Sequence, residues 1–413
     1  MIKHLDLKVI ENISGYILYT IISSVVPFFT MPILTRYLSP EQYGLIAIYV
    51  VYTAIIGSLV GVSTLTAFTK IYYDEKYENR SYLSISILVS LLSALILFIL
   101  VYVSGDYIAD LYNIQLWWLY VGVILVFFEN IISVQTLLYR MKSKVFKFGL
   151  FQLCRVMLRA GITIYLVVAM DFEENGPIIS GIITASIFMV ISIYVLYTNR
   201  SLSLHPNLEY AKHALRFGIP LTPHVLFGAL STTIDKIVIA IMLTKEELGI
   251  YAVGFAIGGL IKSLEGAVYI AYQPWFFQEI SSDKCDNKKI RNSSYLILIG
   301  LLLSSLTVIL ISNIFLQYYV GERFLKAVEI IPWIAMAFAI NGIFTMANQV
   351  VMYKEKTGVI SLITFSSVLL GVFLNYILIE TNGLVGAAQA ILLLMSIRAL
   401  TMWIYSNRLY PLG

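Results

Sequence analysis

Charge is scarce in this chain. Only 13% of its 413 residues are charged, while 59% are hydrophobic, which is more apolar surface than a soluble fold of this size buries. The mean hydropathy of +0.84 therefore excludes an ordinary soluble domain and indicates a membrane protein. Cysteine is also rare: Cys154 and Cys285 match neither a disulfide framework nor a zinc pattern, and we assign them no role.

Several catalytic signatures are missing from the sequence as well. There is no G-x-x-x-x-G-K-[ST] phosphate loop and no polar segment long enough for a nucleotide-binding domain, which disfavours an ATP-driven pump. Neither an HExxH metal pair nor a nucleophile elbow occurs. All predicted outer loops are short, so a polysaccharide polymerase or ligase would have little room for its active site.

Long apolar runs, by contrast, recur along the whole chain. Each is long enough to cross a hydrocarbon core of ~30 Å as a helix, so we predict an all-α integral membrane protein with about twelve transmembrane helices. The predicted helices cover residues 13–34, 44–66, 82–103, 114–138, 149–170, 177–197, 217–243, 247–272, 293–318, 328–352, 359–379 and 384–405.

Lysine and arginine are distributed unevenly between the predicted loops. If the N-terminus lies inside, 19 of the 28 basic residues fall in the inner segments and 4 in the outer loops. Because cytoplasmic loops retain Lys and Arg, this distribution predicts that both termini are cytoplasmic.

Three short matches, in order and at nearly constant offsets of 205, 214 and 208 residues, indicate an internal repeat. An even number of helices per repeat makes the two copies parallel, as in transporters that rock two lobes about a central site. We predict six-helix lobes over residues 1–200 and 217–413, joined by a cytoplasmic linker, 201–216, that contains His205 and Pro206. The matches are LSPEQYG at Leu38 with LTKEELG at Leu243, QTLLYR at Gln135 with QVVMYK at Gln349, and YTNR at Tyr197 with YSNR at Tyr405.

Both copies of the first match predict a helix start. Ser39 and Gln42 have the spacing of a capping box, and Pro40 stands at the first helical position. Thr244 and Glu247 repeat the capping box in the second half.

The run MPILTRYLSPEQYGLIAIY resembles the first-loop pattern of polysaccharide flippases, Thr-Arg-x-Leu followed by Gly, here at Thr35, Arg36, Leu38 and Gly44. In the second half, Asp235-Lys236 followed by LTKEELGIYAVG is similar to the Asp-Arg/Lys and Glu-x-x-Gly-x-Tyr pattern of that family. Its superfamily also contains multidrug extruders and the flippases of lipid-linked peptidoglycan precursors. The resemblance covers essentially the whole chain, but its motifs are short and identify the family better than the cargo.

The resemblance implies a flippase that moves an undecaprenyl-pyrophosphate-linked oligosaccharide repeat unit from the cytoplasmic to the outer leaflet, for O-antigen or another surface polysaccharide. Besides this cargo and the bilayer, it implies a polysaccharide polymerase and a chain-length regulator as partners, and no nucleic acid. We expect a carrier without catalytic residues, bound metal or cofactor. Either a proton or sodium gradient or removal of the product supplies the energy.

Charges predicted inside the bilayer are default candidates for function, because they are costly there. Arg155 and Arg159 stand one helical turn apart, and Glu129 on the preceding helix lies at a similar depth. Two interpretations of Glu129 stay open: it ties helices together by pairing with an arginine, or it lines a cavity. His224 and Arg398 add positive charge in the predicted cytoplasmic half.

The second half carries its own set of intramembrane charges. Asp235, on a predicted stripe with His224, is interpreted as a cavity residue and, like Glu129, as a candidate for ion coupling. Lys236 either lines the cavity or forms a salt bridge. Lys262 and Glu265 are spaced to pair with each other.

Two further patterns in the second half leave structural and functional interpretations open. Gly254 and Gly258 form a GxxxG pattern, which is more often a close helix contact than a binding site. The polar face of Asn341, Thr345 and Asn348 serves equally well as a set of sugar ligands or as packing between helices.

The predicted buried cations outnumber the predicted buried carboxylates by two. This excess favours an anionic cargo such as a pyrophosphate or an acidic sugar, and it disfavours the closest alternative, a cation-coupled multidrug extruder of the same fold. A scaffold without transport would not need so many buried charges. The predicted substrate-binding residues are Arg155, Arg159, Arg398, Glu129, Lys236, Lys262 and His224.

Overall fold

The structure, a computed structural model, describes residues 7–74, 76–203, 207–282 and 286–411. These residues form helices and no strand, which confirms the predicted all-α class. A helix is stable in an apolar environment because it satisfies the backbone hydrogen bonds within one segment.

The described residues contain fourteen α-helices, a π-helical turn (Tyr165–Ala169) after α6 and a 3-10 helix (Glu322–Glu329) before α13. The α-helices are α1 (Leu7–Tyr37), α2 (Pro40–Leu59), α3 (Thr64–Ile71), α4 (Asn79–Tyr112), α5 (Leu116–Met141), α6 (Val145–Ile164), α7 (Asn175–Thr198), α8 (Leu208–Ser231), α9 (Ile234–Met242), α10 (Lys245–Gly258), α11 (Leu260–Ile280), α12 (Asn287–Tyr319), α13 (Ile331–Tyr353) and α14 (Thr357–Leu409).

Nine helical segments of the described chain are long and apolar enough to cross a membrane, or ten if the bent pair α8 and α9 forms one span. The segment Lys245–Ile280 joins α10 and α11. Helix α14 bends at Gly383, whose φ of 56° and ψ of −135° are not helical, so it consists of two helices joined at a kink. The count of twelve transmembrane helices stays a prediction.

Two predicted helices, 44–66 and 217–243, are interrupted, so the prediction of a continuous helix is wrong for both. The predicted helix 44–66 breaks between α2 and α3, where Gly61, Val62 and Ser63 all have positive φ. The freed N–H of Gly61 donates to Ser93 Oγ at 2.8 Å. Neighbouring polar side chains that satisfy the backbone in this way make such breaks tolerable inside a membrane.

Contacts divide the chain into two compact units. The first contains the described parts of Met1–Thr30 and Leu45–Leu230, and the second contains Met31–Gly44 and the described parts of Ser231–Gly413. The units differ from the predicted lobes because residues 31–44 pack within the second unit and residues 217–230 within the first. The function of the lobes as moving bodies stays a prediction.

Half of the predicted linker is helical, because α8 already begins at Leu208. Ala214 is fully buried in the core of the first unit, beside Tyr82, and the hydroxyl of Tyr82 lies 3.0 Å from His213 Nδ1. The linker residues His205 and Pro206 lie outside the described residues.

Both predicted capping boxes are present. At the start of α2, the N–H of Gln42 donates to Ser39 Oγ at 3.2 Å, and the N–H of Ser39 donates to Gln42 Oε1 at 2.8 Å. At the start of α10, the N–H of Glu247 donates to Thr244 Oγ1 at 3.2 Å, and the N–H of Thr244 donates to Glu247 Oε2 at 3.0 Å. The repeated motif therefore has the same local structure in both halves.

The two copies of this motif also contact each other within the second unit. A Cβ on Gly44 would overlap the carbonyl oxygen of Lys245, and a Cβ on Gly249 would overlap the carbonyl oxygen of Pro40. Since only glycine lacks a Cβ, only glycine at both positions lets the two backbones approach this closely.

Replacing Gly249 with alanine should force the two helices apart and lower the free energy of unfolding by about 1–3 kcal/mol, the usual cost of overpacking. Gly266→Ala is the matched control, because nothing lies within 4 Å of a Cβ there and alanine favours the helix. Thermal unfolding of the purified protein in detergent measures both. Equal melting temperatures for the two variants would contradict the close approach.

Candidate functional site

In the first unit, a salt bridge joins α5 to α6. Arg155 Nη1 lies 2.6 Å from Glu129 Oε2, and the two side chains are 22% and 35% exposed. The interpretation that Glu129 ties two helices together is thus confirmed. Its roles in lining a cavity and in ion coupling stay predictions.

Arg159 follows Arg155 by one turn of α6 and has no such partner. Its side chain is exposed, and no carboxylate of the described residues lies within 4 Å of it. Over longer distances its charge is attracted by Glu129 and repelled by Arg155. On α7, Gly181 lies next to the guanidinium, which a Cβ there would contact at 3.4 Å.

His224 is exposed on α8 in the first unit. The predicted stripe that joined it to Asp235 is wrong, because the helix ends at Ser231 and restarts at Ile234. Two β-branched residues, Thr232 and Thr233, occupy this break, where Thr233 is the N-cap residue of α9. Residues share one face only along a continuous helix, and the helix is not continuous between Ser231 and Ile234.

In the second unit, Asp235 is almost completely buried, with 3% of its surface exposed. It accepts a hydrogen bond of 2.7 Å from the hydroxyl of Tyr251, and Lys236 Nζ lies 3.2 Å from the same carboxylate oxygen. The salt-bridge interpretation of Lys236 is therefore confirmed. The predicted coupling role of Asp235 stays a prediction.

Each of the three candidate cations of the second unit lies over an aromatic ring. The distance to a ring centroid is 3.5 Å from Lys236 Nζ to Phe255, 5.6 Å from Lys262 Nζ to Phe338, and 4.6 Å from the guanidinium carbon of Arg398 to Phe344. The negative face of an aromatic ring attracts a cation without neutralising it. The rings thus hold Lys262 and Arg398 in place without neutralising their charges.

Glu265 does not pair with Lys262 as expected. The carboxylate, 5% exposed, instead accepts hydrogen bonds from Asn341 Nδ2 at 2.9 Å and from Thr345 Oγ1. The packing interpretation of this polar face of α13 is therefore confirmed for Asn341 and Thr345. The predicted pairing of Lys262 with Glu265 is wrong because the spacing of residues along one helix does not show which hydrogen-bond donors a neighbouring helix provides.

Two of the candidate cations are therefore neutralised by salt bridges and three are not. Among the described residues, no carboxylate lies within 4 Å of Arg159, Lys262 or Arg398. In addition, Nε of Arg398 has no hydrogen-bond partner in this part of the chain. That the charged residues of both units form one site stays a prediction.

Sequence reasoning missed the partners of these charges. Tyr251 lies inside the repeated motif, which was a signal for its importance, whereas Phe255, Phe338 and Phe344 gave none. Aromatic residues make up 14% of the chain, so a ring beneath a cation cannot be distinguished in sequence from a ring that faces lipid.

A cluster of basic residues lies outside the membrane-spanning segments, where α5 ends. The pKa of Lys142 is lowered mainly by burial and further by the charges of Lys144 and Arg80. Repulsion of this kind shows that positive charge is concentrated at this end of the first unit, which the charge distribution predicts to be cytoplasmic.

Solved structures of two kinds of membrane carrier share this fold. Lipid II flippase MurJ, in an inward closed conformation, matches with a TM-score of 0.76 and 16% identity over 94% of this chain and 87% of that one. An inward-facing multidrug resistance MATE family transporter of the MOP superfamily matches with a TM-score of 0.75 and 13% identity over 94% of this chain and 95% of that one. The fold is therefore that of membrane flippases and transporters.

Sequence comparison then identifies the family. A family model described as polysaccharide biosynthesis protein matches residues 9–280, and the chain belongs to this family. The capsular polysaccharide biosynthesis protein CapF of Staphylococcus aureus is 24% identical over 420 residues, which cover 97% of this chain and 100% of the relative. The protein is a multi-pass protein of the bacterial cytoplasmic membrane.

The variant Glu129→Gln should lower the free energy of unfolding by about 1–3 kcal/mol, because it leaves Arg155 beside Arg159 without a counter-charge. The double variant Glu129→Gln/Arg155→Gln should recover much of this loss, since it removes the cation as well. Melting temperatures in detergent measure both effects.

The pair Lys289 and Glu279 is the control for this cycle, because the side chain of Lys289 is 54% exposed. Glu279→Gln should change the stability by at most about 1 kcal/mol, as is usual for surface pairs. If Glu129→Gln is equally mild, the salt bridge of the first unit has no structural importance.

Proposed function

We propose that the protein is a flippase that carries a lipid-linked oligosaccharide repeat unit, linked through undecaprenyl pyrophosphate, from the cytoplasmic to the outer leaflet by alternating access. The family and the fold support a membrane flippase or transporter of polysaccharide biosynthesis, and the relative CapF is named for a capsular polysaccharide. The charges inside the helices support the anionic cargo.

The observation that carries this proposal is the set of three cations without a salt bridge: Arg159, Lys262 and Arg398. A charged side chain at the centre of a membrane helix costs about 2.5–3.5 kcal/mol on insertion scales. A protein that only needed stable helices would avoid this cost or neutralise each charge, as it does at Glu129 and Asp235. An anionic guest would supply the missing counter-charge.

A pyrophosphate group fits this requirement chemically. Arginine donates two parallel hydrogen bonds to phosphate oxygens, and these charge-assisted bonds are stronger than neutral ones. Lysine contributes a compact charge. Cation–π contacts hold Lys262 and Arg398 and would pre-organise them, so that less side-chain entropy is lost when cargo binds.

The same charges weigh against a multidrug extruder of this fold. Cationic drugs would be repelled by three unneutralised cations. The acidic groups of the second unit are already occupied, because Asp235 contacts Lys236 and Tyr251 and Glu265 accepts from Asn341 and Thr345.

For energy coupling we propose Asp235 as the ion-linked carboxylate, with a proton or a sodium ion as the coupling ion. Protonation or ion binding at Asp235 would release Lys236 from its salt bridge and free a further cation for the anionic cargo. Glu129 is the second candidate, because it holds Arg155 in the same way. Removal of the product by a polymerase is the alternative energy source.

The function is tested by deleting the gene in its host. We expect loss of a surface polysaccharide together with accumulation of its lipid-linked repeat unit in the inner leaflet. The wild-type gene should restore both. Normal polysaccharide with altered drug tolerance would overturn the proposal and favour the extruder.

In that deletion strain, Arg159→Ala should abolish complementation at a normal protein level, because it removes the unneutralised cation of the first unit. Arg159→Lys should retain part of the activity, since it keeps the charge and loses the paired hydrogen bonds. Lys147→Ala is the control, because this exposed residue lies on the same helix, near its start. Full polysaccharide synthesis with Arg159→Ala would contradict the cationic site.

Asp235→Asn should remove the stimulation of flipping by an imposed proton or sodium gradient and leave movement down the cargo gradient intact. The measurement uses purified protein in vesicles with fluorescent lipid-linked saccharide and each gradient in turn. Glu279→Gln serves as the control for a carboxylate outside the cluster. Gradient stimulation that survives in Asp235→Asn would exclude this carboxylate from coupling.

A further inference from the structure

The second unit contains a cavity of about 630 Å³ between α11, α12, α13 and α14. None of the predicted site residues is among the residues that line it. Its walls are mainly apolar and include Phe276, Leu298, Ile343, Met346, Leu400 and Trp403.

Two of the helices around the cavity, α12 and α14, both pack on α13 and scarcely on each other, which leaves a gap between them. Residues on either side of this gap are exposed: Tyr295 on α12 by 53%, and Leu400 and Trp403 on α14 by 56% and 48%. Apolar side chains exposed at this level suit contact with lipid, which would give an acyl chain access to the cavity through this gap.

The depth of the cavity corresponds to one leaflet. Its lining runs from Val350 to Ile340 along α13 and from Asn407 to Ser396 along α14. At 1.5 Å per residue each stretch is about 15 Å long, which is half of a hydrocarbon core of ~30 Å. The mouth lies at the helix ends that the charge distribution predicts to be cytoplasmic.

The mouth is polar and positively charged. Arg291, Ser294 and Asn407 line it, and Lys288 and Lys289 precede Arg291 at the start of α12. Lys289 contacts Glu279 at 2.8 Å, and Arg291 is the cation among the residues that line the cavity. Basic pockets between helices on the cytoplasmic side are typical binding sites for anionic lipid headgroups.

We propose that this cavity binds an anionic phospholipid of the cytoplasmic leaflet, with one acyl chain inserted between α12 and α14 and the phosphate held by Arg291. Apolar walls of one-leaflet depth match an acyl chain, and the cation matches the headgroup. The undecaprenyl chain of the proposed cargo is far longer than the cavity is deep. The inference therefore goes beyond the proposed function and does not depend on it.

Trp403 provides a direct probe, because it lines the cavity. The full-length protein is reconstituted into phosphatidylcholine vesicles that contain either phosphatidylglycerol or phosphatidylcholine with brominated acyl chains, which quench tryptophan fluorescence on contact. The difference between the wild type and Trp403→Phe isolates the signal of Trp403. We expect brominated phosphatidylglycerol to quench this signal at several-fold lower concentration than brominated phosphatidylcholine.

Arg291→Ala should reduce this preference about fivefold, the effect of one cation near the membrane surface. Lys356→Ala is the matched control, because it removes an exposed charge at the same predicted membrane face without lining the cavity. It should leave the preference unchanged. Equal loss in both variants would mean general surface attraction and would overturn the site.

Ser396→Phe places a ring in the cavity and should weaken quenching by both brominated lipids, which tests the apolar chamber independently of Arg291. Equal quenching by the two lipids in the wild type would overturn the proposal. Displacement of brominated phosphatidylglycerol by stoichiometric undecaprenyl pyrophosphate would also overturn it, because the cavity would then belong to the cargo. These readouts are independent of flipping, so failure here leaves the proposed function intact.

Discussion

A charge inside the hydrocarbon core is costly, and several helices of this protein carry one. A folded membrane helix meets this cost by neutralisation, as Glu129 does for Arg155 and Asp235 for Lys236, or by polar contacts, as around Glu265. Arg159, Lys262 and Arg398 have neither of these two kinds of compensation. We propose that an anionic cargo supplies the counter-charge that these cations lack among the described residues.

A second constraint is the close approach of the two copies of the repeated motif. Gly44 and Gly249 let α2 and α10 meet backbone to backbone, and residues around Gly44 are fixed by contacts with the same unit. Arg36 donates to the carbonyl of Tyr318 at 2.9 Å, and the N–H of Gly321 donates to Thr35 Oγ1 at 3.1 Å. The first-loop residues that carry the family resemblance, Thr35, Arg36 and Gly44, thus have structural roles.

Local features were predictable from sequence because they depend on neighbours along the chain. The capping boxes and the all-α class belong here. The close contact of the GxxxG pattern was predictable because two glycines one turn apart leave a helix face without side chains, and a Cβ on Gly258 would lie 2.9 Å from Ile334 on α13. Features that depend on particular side chains of other helices were not predictable. Lys262 rests on Phe338 rather than on Glu265, the span before Leu243 breaks at Thr232 and Thr233, and the cavity beside Trp403 has no sequence signature.

The central claim is that the unneutralised cations select an anionic cargo, and a charge-matched pair of lipids tests it most directly. Purified protein in vesicles is offered the same saccharide linked to undecaprenol through pyrophosphate or through an uncharged linker, and its movement between leaflets is followed. Our account predicts rapid flipping of the pyrophosphate form and flipping of the uncharged form at least about tenfold slower, the effect of ~1.4 kcal/mol. Equal rates for the two lipids would contradict it.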